Sequence, residues 1–150
     1  MMVLIDTNVL LRMRDKDAPR YQECIEAVDL LRGRGERLFI CAQTLAEFWV
    51  VATRPCDANG CGLTFDDAVT ALAKVRATFR CLAEPSDIAD RWQQLVIDNK
   101  VMGKPAHDTR IVALMLAHGV THLLTLNPGD FARYAEITTL TPQDILQQGS

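Results

Sequence analysis

Three acids in this chain stand where chemistry is possible: Asp6 in Val3-Leu4-Ile5-Asp6-Thr7-Asn8, Glu47 in Thr44-Leu45-Ala46-Glu47-Phe48, and Asp108 in His107-Asp108-Thr109-Arg110-Ile111. Each has an ordinary structural explanation on its own. Asp6 would cap a helix, Glu47 would close a capping box opened by Thr44, and Asp108 would complement a helix dipole. Brought together they behave differently, because crowded carboxylates repel and raise one another's pKa unless a cation neutralises them. Oxygen donors with room left for water suit Mg²⁺ or Mn²⁺. One such ion, or a pair about 4 Å apart, lowers the pKa of a bound water and stabilises charge on the attacking and leaving oxygens of a phosphodiester. Hydrolysis of a nucleic-acid backbone is the chemistry to which this set of residues points.

A fourth contribution would come from Thr125-Leu126-Asn127-Pro128-Gly129-Asp130-Phe131, which offers a hydroxyl, an amide and a carboxylate. Asn127 and Asp130 are also ordinary turn residues. Asn127 divides evenly between turn and site, and Asp130 leans to the turn or to a supporting position.

Positioning the acids requires strands that alternate with helices. Val3-Leu4-Ile5 runs as a buried strand into Asp6 and a short helix through about Met13. Pro19 fits a helix's first turn, and Tyr21, Cys24, Ile25, Val28 and Leu31 recur at helical spacing up to the Gly33 to Gly35 turn. Arg37 to Cys41 is a second strand, and Thr44 opens an apolar helix. A loop from Arg54 to Gly62 and a helix starting at Thr64 lead to a third strand, Phe79 to Leu82. Pro85-Ser86-Asp87 caps the next helix, and Asn99 to Pro105 connects it to a helix led by His107-Asp108 and closed by Gly119. Val120 to Leu126 is strand four, Phe131 to Tyr134 a short helical piece, Glu136 to Leu140 an edge strand, and Thr141-Pro142 begins the last helix. This alternation implies a mainly parallel, doubly wound sheet with helices on both faces. Its strand-end loops would bring Asp6, Glu47 and Asp108 into one cleft.

With 150 residues, 49% of them hydrophobic, the chain has enough material for one core and too little for two ordinary domains, so residues 1–150 are expected to form one domain. No apolar run approaches the roughly 18 residues that span a bilayer, and no basic leader precedes the first strand; a soluble, cytoplasmic protein without a membrane partner is expected. The five cysteines are odd in number and scattered, unlike a disulfide framework, and Cys56 and Cys61 are a weak zinc signal. A net charge of −3 gives no overall attraction for a polyanion, so any nucleic-acid contact must be local. Basic residues do gather at Arg12, Arg14, Lys16 and Arg20 and at Arg32, Arg34 and Arg37, but interleaved acids make each group a solvated helix face.

Leu4-Ile5-Asp6-Thr7-Asn8, Thr44 to Phe48, His107-Asp108-Thr109-Arg110-Ile111-Val112-Ala113, and Thr125-Leu126-Asn127 to Asp130-Phe131 together resemble the PIN-domain family, and within it the VapC-like toxins of bacterial toxin–antitoxin pairs. The resemblance spans nearly the whole chain. It implies a three-layer α/β/α fold and a Mg²⁺- or Mn²⁺-dependent endoribonuclease acting on single-stranded RNA, with a cognate antitoxin and a homodimer as partners. Asp6, Glu47 and Asp108 would be the acidic metal ligands. Asn127 stands where many members carry a fourth acid, which leaves the number of metals open, although its carbonyl can hold a metal-bound water. Thr7 or Asn8 would orient Asp6, Arg110 and His107 would contact phosphate, and Thr125 and Asp130 would support the site. For His107 a solvent-exposed position at a helix start is an equal alternative. A haloacid-dehalogenase pattern is disfavoured, because it needs a second Asp where Asn8 stands. The remaining competitor is a PIN-like module that binds RNA or protein without cutting.

Overall fold

A computed structural model describes residues 1–149. In chain order the elements are β1 (Met2–Ile5), α1 (Thr7–Arg14), α2 (Tyr21–Gly33), β2 (Arg37–Cys41), α3 (Ala42–Thr53), α4 (Phe65–Thr78), β3 (Arg80–Leu82), α5 (Ile88–Asp98), α6 (Ala106–His118), β4 (His122–Leu124), β5 (Thr138–Leu140) and α7 (Pro142–Gln148). Short 3-10 turns cover Cys56–Ala58 and Pro128–Phe131. The strands form one sheet in the order β3-β2-β1-β4-β5, and every pairing is parallel.

The alternation of side chains along each strand divides the core into two layers. Val3, Ile5, Leu38, Ile40 and Leu124 point to one face, where they meet Cys24, Val28 and Leu31 of α2, Phe48 of α3 and Ile145 of α7. Leu4, Phe39 and Leu123 point to the other and meet Ile111, Val112 and Met115 of α6, with Phe131 and Tyr134. The result is the expected three-layer α/β/α arrangement. Central strands covered on both faces explain why β1 and β2 read as nearly unbroken apolar runs.

Several boundaries differ from the sequence-based expectation, each for a local reason. Helix α3 begins two residues before Thr44, because Cys41 is its N-cap and Thr44 Oγ1 accepts the Cys41 N–H at 3.1 Å. Pro19 lies in a turn ahead of α2, since Arg20 adopts a left-handed conformation (φ 66°) that no continuing helix tolerates. Strand β4 is shorter than Val120 to Leu126. The Val120 N–H closes the end of α6 by donating to Met115, while Leu126 and Asn127 donate to the side chains of Asn8 and Thr125. Likewise β3 starts at Arg80, β5 starts at Thr138, and the helical piece is a 3-10 turn ending at Phe131. Asp87 precedes α5 without a side-chain capping bond and pairs with Arg91 instead.

Phe48 is the largest of the fully buried side chains and ties α3, the helix that carries Glu47, to the sheet. Phe48→Ala should destabilise the protein by about 3–5 kcal/mol, measured as a lower midpoint in urea unfolding.

Candidate functional site

The strand order reverses between β1 and β4, and the carboxyl ends of those two strands open the crevice where ligands bind in sheets of this kind. Asp6 follows β1 directly and Thr125 follows β4. The Asp6 N–H donates to the Leu124 carbonyl at 3.0 Å, and Thr125 Oγ1 donates to Asp6 Oδ2 at 2.7 Å. The Thr7 N–H donates to Asp6 Oδ1 at 2.8 Å, so Asp6 does cap α1. Asn8 Nδ2 lies 3.4 Å from Asp6 Oδ2, and Asn8 Oδ1 accepts the Leu126 N–H at 3.1 Å, stapling α1 to the exit of β4. Capping and site placement are therefore compatible in one carboxylate: one oxygen serves the helix and the other faces Thr125.

Glu47 lies beyond the first turn of α3 and does not reach back to Thr44. Thr44 instead serves Cys41, with its hydroxyl donating to the Cys41 carbonyl at 2.9 Å. Glu47 accepts from Thr7 Oγ1 at 3.0 Å and from Gln43 Nε2 at 3.1 Å. The Thr7 side chain thus orients Glu47, while its backbone orients Asp6. Gln43, which sequence inspection passes over, also donates to the His107 carbonyl at 2.8 Å and so joins α3 to the first turn of α6. Its only advance signal was the i, i+4 spacing to Glu47.

Asp6, Glu47 and Asp108 share a cleft of about 660 Å³ with Thr7, Asn8, His107, Asn127 and Asp130. Burial pushes the Asp6 carboxyl above the usual carboxylate range; the Thr125 and Thr7 bonds pull it back, and Glu47 and Asp130 add repulsion. Asp108, half-buried, is pushed up to about 6, first by burial and then by repulsion from Asp6, Asp130 and Glu47, against a pull from His107. These acids therefore sense one another's charge across the cleft. Among the described residues no group of three His, Cys, Asp or Glu side chains is set to hold an ion directly. The donors nevertheless fit a cation that keeps much of its own water, because Mg²⁺ is ordinarily held by one or two carboxylates with the rest of its shell aqueous. They are nearly all oxygens, with His107 the one imidazole.

Thr125 is fully buried beneath the cleft as the hydroxyl that holds Asp6. Asn127 and Asp130 are exposed at the rim, and the Asp130 N–H donates to the Asn127 carbonyl as the turn chemistry requires. Arg110 does not line the cleft; its guanidinium pairs with Glu84 and donates to Gln43 Oε1 at 3.2 Å. Two cations that the sequence analysis leaves out, Arg54 and Lys104, do line it. A second cavity of about 550 Å³ lies among α1, α2, α3 and α4, lined by Leu10, Met13, Tyr21, Ile25 and Val75 and without the converging acids.

The raised carboxyl of Asp108 makes its ionisation a cost to the folded state. For a group with a folded pKa near 6 and an unfolded value of 3.8, the contribution is fully present below about pH 4 and lost as pH rises to about 6. In chelator, Asp108→Asn should therefore melt increasingly above the parent across that window. At pH 7 it should be more stable by about 1 kcal/mol, well below the full shift because a half-exposed group is screened by water. Thermal melts at a series of pH values measure this, and a variant melting below the parent at pH 7 would leave Asp108 an acid that complements the dipole of α6.

Solved structures share this fold at low identity. VapBC2 from Rickettsia felis, bound to a DNA fragment from its promoter, matches with a TM-score of 0.72 and 15% identity over 94% of this chain and 98% of that one. VapC20 from Mycobacterium tuberculosis, a sarcin–ricin loop cleaving toxin, matches with 0.65 and 18% over 90% and 98%. A toxin–antitoxin complex from Klebsiella pneumoniae matches with 0.60 and 25% over 93% and 97%. No curated protein sequence matches the chain. The family model of the PIN domain matches residues 3–137, from the first strand to the approach to the last. A match of that extent carries the assignment: this protein belongs to the PIN-domain family.

Proposed function

We propose that the protein is a divalent-metal-dependent endoribonuclease that cuts single-stranded RNA, and that it is the toxin of a toxin–antitoxin pair. The observation that carries this reading is the gathering of Asp6, Glu47 and Asp108 at the switch point of the sheet, in a cleft where burial and the neighbouring acids raise the carboxyls of Asp6 and Asp108. Such a cluster favours a bound cation over an empty site, since the cation removes the repulsion. Asp6, Glu47 and Asp108 would hold Mg²⁺ or Mn²⁺, with Asn127 reaching it through water. When bound, the ion would supply an activated water and charge stabilisation on the phosphodiester oxygens.

The chain's own residues provide the geometry. Thr125 and the Thr7 N–H hold both oxygens of Asp6, and Thr7 Oγ1 and Gln43 hold those of Glu47, so both carboxylates are oriented before any ligand arrives. Such pre-orientation spares the reaction the entropy of collecting its ligands. His107, exposed at the start of α6, would contact substrate phosphate, and Asp130 would support the rim. That several relatives of this fold were solved as toxin–antitoxin complexes supports a cognate antitoxin as partner. A homodimer and a cytoplasmic location complete the proposal; among the described residues no helix is long and apolar enough to cross a membrane. One observation favours a second reading, a binding module without catalysis: the rim position next to Thr125-Leu126 carries the amide of Asn127.

Purified protein should cleave a pool of single-stranded RNAs with Mg²⁺ or Mn²⁺ and stop in chelator. Asp6→Asn, Glu47→Gln and Asp108→Asn should each reduce the rate by at least about 10²-fold, the scale of losing an electrostatic contribution at the reacting centre. Cleavage that persists in chelator or in all three variants would refute the proposal. Calorimetric titration with Mn²⁺ separates the two rim residues: Asn127→Asp should tighten binding by more than Asp130→Asn weakens it, and the reverse order would give the fourth position to Asp130.

A further inference from the structure

A cleft lined by Asp6, Glu47, Asp108 and Asp130 repels the strand that the proposed reaction needs. One divalent ion offsets only half of that charge. The deficit must be met locally, because the whole chain is itself negative at −3. Arg110 does not meet it, being committed to Glu84 and Gln43. The charged cations in the cleft wall are Arg54 and Lys104, and together with one divalent ion they balance the four acids.

Both cations are free to act on a ligand. Among the described residues neither enters an ion pair or a side-chain hydrogen bond, although four acids share their cleft. Both are also set at built positions of the backbone. Glu47 and Val51 of α3 and Arg54, which caps the end of that helix, lie at i, i+4 and i+7 and all line the cleft, which places the Arg54 backbone about 10 Å along the helix axis from Glu47. Arg54 is held there from both sides: its N–H donates to the Val50 carbonyl of α3, and its carbonyl accepts the Gly62 N–H of the following loop at 2.8 Å. Gly60 packs so closely that a Cβ on it would sit 2.0 Å from the Arg54 carbonyl oxygen, so that contact admits only glycine. On the α6 side, Lys104 follows Gly103, whose φ of +74° turns the chain, and its carbonyl accepts the His107 N–H at the start of the helix that carries Asp108.

We propose that Arg54 and Lys104 are the phosphate-binding pair of this cleft, gripping the backbone of a single-stranded RNA away from the carboxylates, on the α3 side and the α6 side respectively. The inference rests on the ribonuclease reading and adds to it the residues that hold the strand. At about 10 Å from Glu47, Arg54 reaches a neighbouring phosphate and leaves the scissile one to the acids. The pair reads charge and spacing, not base identity.

The test is salt-dependent binding of a fluorescein-labelled oligouridylate, followed by anisotropy with Mn²⁺ present, in the Asp108→Asn chain so that the strand survives. Removing one phosphate contact to a single strand should flatten the slope of log K against log salt by about 0.7. Arg54→Gln and Lys104→Gln should each show that loss and bind several-fold more weakly at low salt, the double substitution should lose about twice as much, and Arg54→Lys should keep most of the slope. Arg76→Gln removes the same charge from the exposed face of α4 and should leave the slope unchanged. An unchanged slope in the double variant, or an equal loss in Arg76→Gln, overturns the proposal while the nuclease reading stands on its cleavage assay. A parent chain that binds no oligouridylate overturns the proposal, and if that chain without Asp108→Asn also cleaves no RNA the nuclease reading falls with it.

Discussion

Asp6 keeps a carboxylate where only 8% of the residue meets solvent, and that arrangement holds because β1 and β4 end side by side. A buried charge of this kind is tolerable only with donors aimed at it. The Thr125 hydroxyl comes from the end of the neighbouring strand, and the Thr7 N–H from the helix that Asp6 itself begins. Parallel pairing of Ile5 with Leu124 puts the two residues that follow in register, so the bond between Asp6 and Thr125 is a consequence of the sheet. Asn8 closes the arrangement by accepting the Leu126 N–H, which ends β4 and turns the chain toward Asn127.

From that joint a chain of hydrogen bonds runs through the rest of the site. Thr7 Oγ1 carries it to Glu47, Gln43 carries it from Glu47 to the His107 carbonyl, and Arg110 ties Gln43 to Glu84 beyond β3. Trp92 on α5 adds an indole N–H to the Ala106 carbonyl at 2.8 Å, fixing the start of α6 from the other side. The helices that present Glu47 and Asp108 are thus braced against each other through the neutral amide of Gln43, and among the described residues Asp6, Glu47 and Asp108 enter no ion pair. Salt bridges in their place would have neutralised the acids and removed the cleft's capacity for a cation.

The same economy is visible in the placement of the basic residues. Ion pairs such as those of Arg20 with Glu23 and Arg91 with Asp87 lie on helix surfaces, where they contribute little to stability. Among the described residues Arg54 and Lys104 are left without ion pairs in the wall of the cleft that the acids line. Placing a cation beside acids without bonding it to them costs the folded state a possible ion pair, and that cost is intelligible if the partner is a ligand.

Asp6, Glu47 and Asp108 were legible as candidates because each stands in or beside a segment that reads as a helix start, and the alternation of strand and helix implied a parallel sheet that gathers such positions. The PIN-domain blocks were legible for the same reason, since residue type and order do not depend on packing. What the sequence could not decide was the direction of each side chain's hydrogen bond. Thr44 and Glu47 have the spacing of a capping box, yet Cys41, three residues before Thr44, is the N-cap, and that moves Glu47 out of the first turn and into the reach of Thr7. Arg110 stands beside Asp108 in sequence but lies on a flank of α6 where Glu84 captures it. Arg54, Gln43 and Lys104 belong to no local motif of their own, and they enter the site only when α3 and α6 pack on the sheet. Backbone pattern follows from local polarity and periodicity; which polar groups face a common cleft is decided by the packing of elements far apart in the chain.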